Sequence, residues 1–583
     1  MEVTSIRIDT EMLDVSLNIG ILPLASSFVT WIIVIGSLSS ATYFGQKYTN
    51  IFKSNDSKFF FIVACFASML ISIFVNFVPD DIFAHFRVVD NLITKNQYVF
   101  NKDEYIEGTA TPIWHALLFG ISKLNLDYIQ TARLLGIGVM PWLVLVQMLI
   151  SQLLMADLDE KYSKVIFWSP LVFALNPIYL IYAGSGMETL IYNFVASLFI
   201  FSFLKQKLYS SLFLSALVIG LRFDGFVLVV AFLSAAYIFN LFGKKYFKNI
   251  FKLLIFAIII FSVISIFRFI YFDEVIPHVV KMKTLSDEKL IAGLSYLISF
   301  LFLFSVSGIF LLIATYKQFK LRLGGYREQF FLLLVSIILI STVTVGGGDW
   351  MPTSRYLIVP SMLLLCVMVA AMGNVERSKS NKVSVSIIAP ILCIAPIISL
   401  FLPPPTPFRN GYLSLQSPST FTRLLKEDAQ KLMTLGRIIS ILDHEKVIDV
   451  ESLYTRWIGF IPYAVGSDIR IIDELAYFYR WTQEELVGSN RTNKVGHLIE
   501  TLPRIQSEGP SVITNISSAR STPYLSEPKL TPSETLNEQI TRNANISQDL
   551  RSFLVENYRI LQILDMNGGT QFEILVNKNS ILN

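Results

Sequence analysis

The sequence predicts a polytopic α-helical membrane protein, with about twelve or thirteen spans and a C-terminal α/β domain. Three observations predict it. First, 53% of the 583 residues are hydrophobic and only 16% charged, with a mean hydropathy of +0.55; a soluble domain carries roughly 25% charged residues. Second, apolar runs of the length needed to cross a bilayer, about 20 residues, recur as far as Leu402. Third, the composition then turns polar. Pro403-Pro404-Pro405 and Pro407 mark a stiff exit, and residues 408–583 mix short apolar runs with helical stretches. The net charge of +4 gives no case for a nucleic-acid partner.

Candidate spans lie near 20–44, 59–78, 131–155, 164–182, 188–204, 209–221, 225–243, 250–271, 291–315, 329–345, 355–373 and 383–402, with 112–126 as a shorter one. The first follows an acidic segment (Glu2, Asp9, Glu11, Asp14) rather than a basic one, so it is expected to be retained rather than cleaved as a signal. Lys47/Lys53/Lys58, Lys205/Lys207, Lys244/Lys245/Lys248, Lys317/Lys320/Arg322/Arg327 and Arg377/Lys379/Lys382 make several short loops basic, which places those loops in the cytoplasm. The expected organisation is an extracytoplasmic segment over 1–19 and a transmembrane domain over 20–402, holding a functional loop at 79–111. An extracytoplasmic α/β domain over 403–583 completes it, all in a bacterial inner membrane. Three candidates separate Asp81 from Glu188, and an odd number puts them on opposite sides; the 112–126 segment is short enough to lie re-entrant or in the interface. Within the last domain, strands are expected in 446–450, 469–472 and 511–514, a helix in 420–442, and a long loop over 506–546. Cys65, Cys366 and Cys393 sit inside apolar runs without ligand spacing and read as small buried residues. No internal repeat is visible.

Asp80-Asp81 is the first candidate for chemistry. Pro79 ends an apolar run and two carboxylates follow at once. An ionised carboxylate there is costly unless it serves a cavity or a partner; the plainer alternative is that the pair marks the water interface. The loop that follows is longer and more mixed in charge than a connector needs. It contains His85, Arg87, Asp90, Asn91, Glu104, Glu107 and Trp114. Basic residues at other span ends, Arg222, His278, Lys281 and Arg355, are donors of the kind a phosphate needs, although each alone reads equally as an interfacial side chain. Gly346-Gly347-Gly348-Asp349 alone reads as a turn.

In order, these residues resemble the bacterial multi-pass glycosyltransferases of the GT-C type, and within them the mycobacterial terminal β-1,2-arabinofuranosyltransferase family. The resemblance rests on Asp80-Asp81, Arg87, Asn91, Val99-Phe100-Asn101, Ile106-Glu107-Gly108 and Thr111-Pro112-Ile113-Trp114. It continues through Gly186-Met187-Glu188-Thr189, Leu221-Arg222-Phe223-Asp224-Gly225, residues 271–283, Gly347-Gly348-Asp349, Arg355, Pro360, Gly459, Pro462-Tyr463 and Ile472-Asp473. It departs from the family at Pro277-His278-Val279, at Phe223, and in an additional first span.

The resemblance implies a polyprenyl-phosphate-linked sugar as donor, arabinofuranose by the nearest family, and a cell-envelope glycan, lipid or protein as acceptor in cell-wall biogenesis. It implies Asp80 or Asp81 as catalytic base. Arg87, Glu188, Arg222, Asp224, His278, Lys281, Asp349 and Arg355 would lie around the donor phosphate and sugar, and Glu107 and Trp114 on the acceptor loop. No metal-ligand spacing is visible, so a divalent cation would have to sit at Asp80/Asp81. Two alternatives stand beside this reading: a GT-C enzyme for aminoarabinose or a hexose, and a transporter or lipid flippase, for which inverted repeats would be expected.

Overall fold

The computed structural model describes residues 3–7, 28–402 apart from short stretches (chiefly 156–163, 285–288, 322–325 and 378–390), 418–478 apart from 456 and 474–477, 508–514, and 552–581 apart from 554–555 and 565–569. The chain opens with strand β1 (Val3–Arg7), then crosses and returns through α1 (Phe28–Tyr48) and α2 (Asn55–Val75). Next come α3 (Asp80–Thr94), α4 (Pro112–Lys123), the long α5 (Tyr128–Leu153), α6 (Lys164–Ala174) and α7 (Pro177–Tyr182). Three short apolar helices follow, α8 (Thr189–Leu204), α9 (Leu208–Leu221) and α10 (Gly225–Ile238), then α11 (Phe247–Phe272) and α12 (His278–Thr284). The bent pair α13 (Lys289–Leu303) and α14 (Ser305–Lys320) leads to α15 (Tyr326–Val345) and α16 (Ile358–Arg377).

Among the described residues six helices are long and apolar enough to cross a membrane, or seven if the pair bent by 75° is one span. The sequence offers more candidates because several apolar runs are broken inside. Asn176 turns its side chain to accept from the Ile178 N–H (3.0 Å), and Pro177 starts a new helix, so 164–182 is two helices. Arg222 is extended (φ −150°, ψ 143°) and separates α9 from α10. At about 1.5 Å per residue the helices α8 to α10 fall short of a roughly 30 Å hydrocarbon core. Most of the 383–402 candidate lies outside the described residues. The 112–126 segment forms α4, of 12 residues, also too short to span, and Asp81 and Glu188 line one cavity. Cys65 and Cys366 are buried free thiols; Cys393 lies outside the described residues.

The C-terminal part is α17 (Pro418–His444), β2 (Ser452–Thr455), α18 (Phe460–Val465), β3 (Arg470–Asp473), β4 (Val512–Ile513), β5 (Tyr558–Leu564) and β6 (Thr570–Asn577). The sheet order is β1-β5-β6-β4-β2-β3. Two expected strands appear as β3 and β4, and the expected helix as α17. Residues 446–450 are not a strand: Lys446 takes a left-handed φ of 57° to end α17, and only Ile448 pairs, in an isolated bridge to Ile581. Most of the 506–546 stretch lies outside the described residues.

One feature has no signature in the sequence. β1 pairs in parallel with β5, Val3 opposite Ile560 through Arg7 opposite Leu564. The N-terminal segment is therefore part of the C-terminal sheet, and both ends lie on one side of the membrane. The two crossings α1 and α2 return the chain to that same side at Asp80. There Phe83 of α3 packs on Phe460 (5.2 Å between centroids) and Tyr463 (5.3 Å) of α18.

Candidate active site

Pro79 (φ −75°, ψ 154°) sets the start of α3, and Asp80 and Asp81 occupy its first turn, where the helix dipole favours carboxylates. Neighbouring residues on a helix point about 100° apart, so the pair divides. Asp80 is buried and accepts from the backbone N–H of Phe460 (2.6 Å) and of Gly459 (3.1 Å). It thereby docks the C-terminal domain onto α3. Burial, with the charge of Asp81 adding to it, pushes the Asp80 carboxyl up from 3.8 to about 7, against the backbone hydrogen bonds of residues 458–460.

The sign of the consequence is set by that direction. The folded state holds its proton where the unfolded chain has lost it, so stability falls as pH rises from about 4 to about 7 and levels off above. Thermal unfolding in detergent should show this slope, and Asp80→Asn should flatten it. A second expectation concerns Gly459. A Cβ there would collide with the Asp80 backbone carbonyl, and neither side is a flexible side chain. Gly459→Ala should therefore destabilise the protein by about 1–3 kcal/mol, read as a lower melting temperature; an unchanged value would contradict the docking role.

Asp81 faces the other way, into a cavity of about 320 Å³. Arg355 binds Asp81 (2.9 Å) and Asp349 (2.5 Å). Arg222 binds Glu188 (2.8 Å) and Asp224 (2.9 Å). The ring of Tyr356 lies 4.7 Å from the Arg222 guanidinium and 5.1 Å from that of Arg355, so it joins the two ion-pair clusters. The helix breaks place these groups. Glu188 and Asp224 are the N-cap residues of α8 and α10, and Arg222 is the C-cap of α9. Gly186 takes a φ of +81° to turn the chain into Glu188. Gly225 is tight: a Cβ would strike the Val218 carbonyl. Val227, Val279, Val280 and Val343 give the cavity an apolar wall, and Ile458 and Phe478 close it from the C-terminal domain.

The other expected site residues lie elsewhere. Arg87 is buried and spends its guanidinium on backbone carbonyls: Phe100 (3.0 Å), Gly466 (2.6 Å), Ile469 (2.8 Å) and, by a short bond, Pro462. It staples the loop and the C-terminal domain to α3 and is not in the cavity. Glu107 forms a buried two-bond pair with Arg268 of α11 (2.6 and 3.2 Å), which ties the loop to the membrane helices. Glu274 holds His278 (3.2 Å) and Lys281 (3.0 Å); neither lines the cavity, although Val279 and Val280 between them do. Trp114 is wholly buried and packs in the core.

Asp80 and Asp81 fit a shared cation poorly. The oxygens of one take backbone N–H groups, and the other carries a guanidinium. Among the described residues there is no group of three or more His, Cys, Asp or Glu that could hold a metal.

Two features escape a reading of the sequence. Tyr356 follows Arg355 directly, but only folding puts it against Arg222. His85, already named in the loop, lines the cavity one helical turn after Asp81, but its pairing with His115, 30 residues on, leaves no mark in the sequence.

No family model matches the chain, and no curated protein matches it. Among solved structures it is similar to the crystal structure of ArnT from Cupriavidus metallidurans in the apo state, at 10% identity over 88% of this chain and 96% of that one, with a TM-score of 0.49. It is also similar to the crystal structure of ArnT from the same organism bound to undecaprenyl phosphate, at 12% identity over 70% and 74%, with a TM-score of 0.42.

Proposed function

We propose that the chain is a membrane glycosyltransferase of the GT-C type that moves a sugar from a polyprenyl-phosphate carrier to an acceptor hydroxyl. The observation that carries this reading is the convergence of Asp81, Arg355 and Arg222 in one cavity with an apolar wall. A lipid phosphate needs both halves of that environment, guanidinium groups for its head and apolar surface for its chain.

Arg355 and Arg222 would take the donor phosphate. On doing so Arg355 exchanges a carboxylate for the phosphate and releases Asp81. Asp81 then takes the proton from the acceptor hydroxyl as its oxygen attacks the anomeric carbon. The bond from that carbon to the phosphate oxygen breaks, and the electron pair leaves on the phosphate, whose charge the guanidinium groups offset. One carboxylate oxygen of Glu188, Oε2, is buried with no hydrogen-bond partner among the described residues; it is suited to a hydroxyl of the bound sugar.

Arabinofuranose as the sugar and a cell-envelope glycan, lipid or protein acceptor rest on the string from Asp80 to Trp114, and a site on the outer face of a bacterial inner membrane rests on the basic short loops between the other spans. Aminoarabinose or a hexose would use the same cavity. The test supplies the purified chain in lipid nanodiscs with radiolabelled decaprenyl-phosphate arabinofuranose and an octyl arabinofuranoside acceptor, then repeats it with the aminoarabinose and hexose carriers. Labelled acceptor plus free polyprenyl phosphate supports the reading. Consumption of no carrier, with vectorial movement of one in sealed vesicles, would replace it with a transporter.

A further inference from the structure

Three side chains that this mechanism leaves unused form a hydrogen-bonded chain ending at the cavity. His85 Nδ1 bonds His115 Nε2 at 2.8 Å, and His115 Nδ1 bonds the Tyr98 hydroxyl at 2.7 Å. Thr111 Oγ1 also reaches His85 Nδ1, at 3.2 Å. All of these bonds to His85 use Nδ1. His85 lines the cavity, so Nε2 is the nitrogen left to face it, one helical turn from Asp81. The His85 and His115 rings lie 5.0 Å apart, which holds the imidazole in place.

Burial, then the charges of Arg355 and Arg222, drive the His85 pKa down to about 3. His115 is pushed down too, by burial and by His85. Both rings are therefore neutral, with one proton each. If Tyr98 donates to His115, the His85 proton sits on Nε2 and meets the cavity as a donor; with the chain reversed, Nε2 presents a lone pair. Either state makes one neutral hydrogen bond. A phosphate is better served by the two guanidinium groups, whereas a neutral donor or acceptor matches a hydroxyl.

We infer, on the glycosyltransferase reading, that His85 is a positioning residue for the acceptor: its Nε2 holds a hydroxyl of the acceptor sugar beside Asp81, and His115 and Tyr98 fix its ring and tautomer. The test measures KM for the octyl arabinofuranoside and for decaprenyl-phosphate arabinofuranose separately in His85→Ala, His85→Gln and Tyr98→Phe. His85→Ala should raise the acceptor KM about tenfold with the donor KM changed less than about twofold, because a ground-state contact to one substrate alone is lost. Glutamine, a neutral donor and acceptor, should restore the acceptor KM to within about threefold of wild type, and Tyr98→Phe should fall between. A donor KM that rises in step, or a glutamine variant no better than alanine, overturns the assignment. If His85→Ala does not fold, the glutamine and Tyr98→Phe variants decide it by the same split. Wild-type protein that transfers no sugar defeats the enzyme reading itself; wild type that transfers, with all three variants matching it, defeats only the role of His85.

Discussion

Replacing Asp81 by asparagine is expected to lower sugar transfer by about 10²–10⁴-fold, the usual contribution of a positioned general base, while the protein stays folded. Asparagine keeps the side-chain volume, and Arg355 retains its bond to Asp349 at 2.5 Å. The lost Asp81 contact faces a cavity rather than a packed core. Binding of the polyprenyl-phosphate carrier should persist, so the loss should appear in kcat and not in donor KM. Initial rates with radiolabelled carrier, together with melting temperature and elution volume, make the check. Transfer within about threefold of wild type, given the scale of base catalysis, would remove Asp81 from the chemistry. Asp80→Asn is the contrasting variant: its effect should register in the melting temperature, since the Asp80 carboxylate is committed to Gly459 and Phe460.

The largest effect on stability is expected at Arg87. Arg87→Ala strips the carbonyls of Pro462, Gly466 and Ile469 of their guanidinium donor, while the Phe100 carbonyl keeps the Asn91 side-chain amide. A buried acceptor left unpaired costs about 1–3 kcal/mol, and the Pro462 and Ile469 carbonyls are buried, so a loss of about 2–6 kcal/mol follows. Lysine should not rescue it, because one ammonium cannot spread over carbonyls that a planar guanidinium reaches from three nitrogens. Thermal unfolding and limited proteolysis should show the C-terminal domain released from α3. A folded Arg87→Ala protein with only a raised donor KM would instead return Arg87 to the donor phosphate.

These two residues show where the sequence was informative. Asp81 and Arg87 stand in one ordered string, and the string is visible because it interrupts apolar runs with charge. Function and docking both demand such interruptions, so the string marks important positions without sorting them. Arg222, Glu188, Asp224 and Arg355 could be named from span ends in the same way, and the cavity unites them. His278, Lys281 and Glu107 carried the same signal, yet each is bound to a neighbour away from the cavity.

By itself the sequence determined the class of the protein. Its apolar content and the polar turn after Leu402 require helices in a membrane and a separate folded part beyond them, because hydrophobic burial depends on composition and spacing that are local along the chain. What only the tertiary structure decided is which way each charge faces. Asp80 and Asp81 are adjacent, and the rotation of one residue on α3 sends one carboxylate to backbone amides and the other to a cavity. The membership of β1 in the C-terminal sheet, the setting of Tyr356 between two arginines, and the chain from Tyr98 to His85 join residues distant in sequence. Such contacts are set by packing, and no local pattern records them.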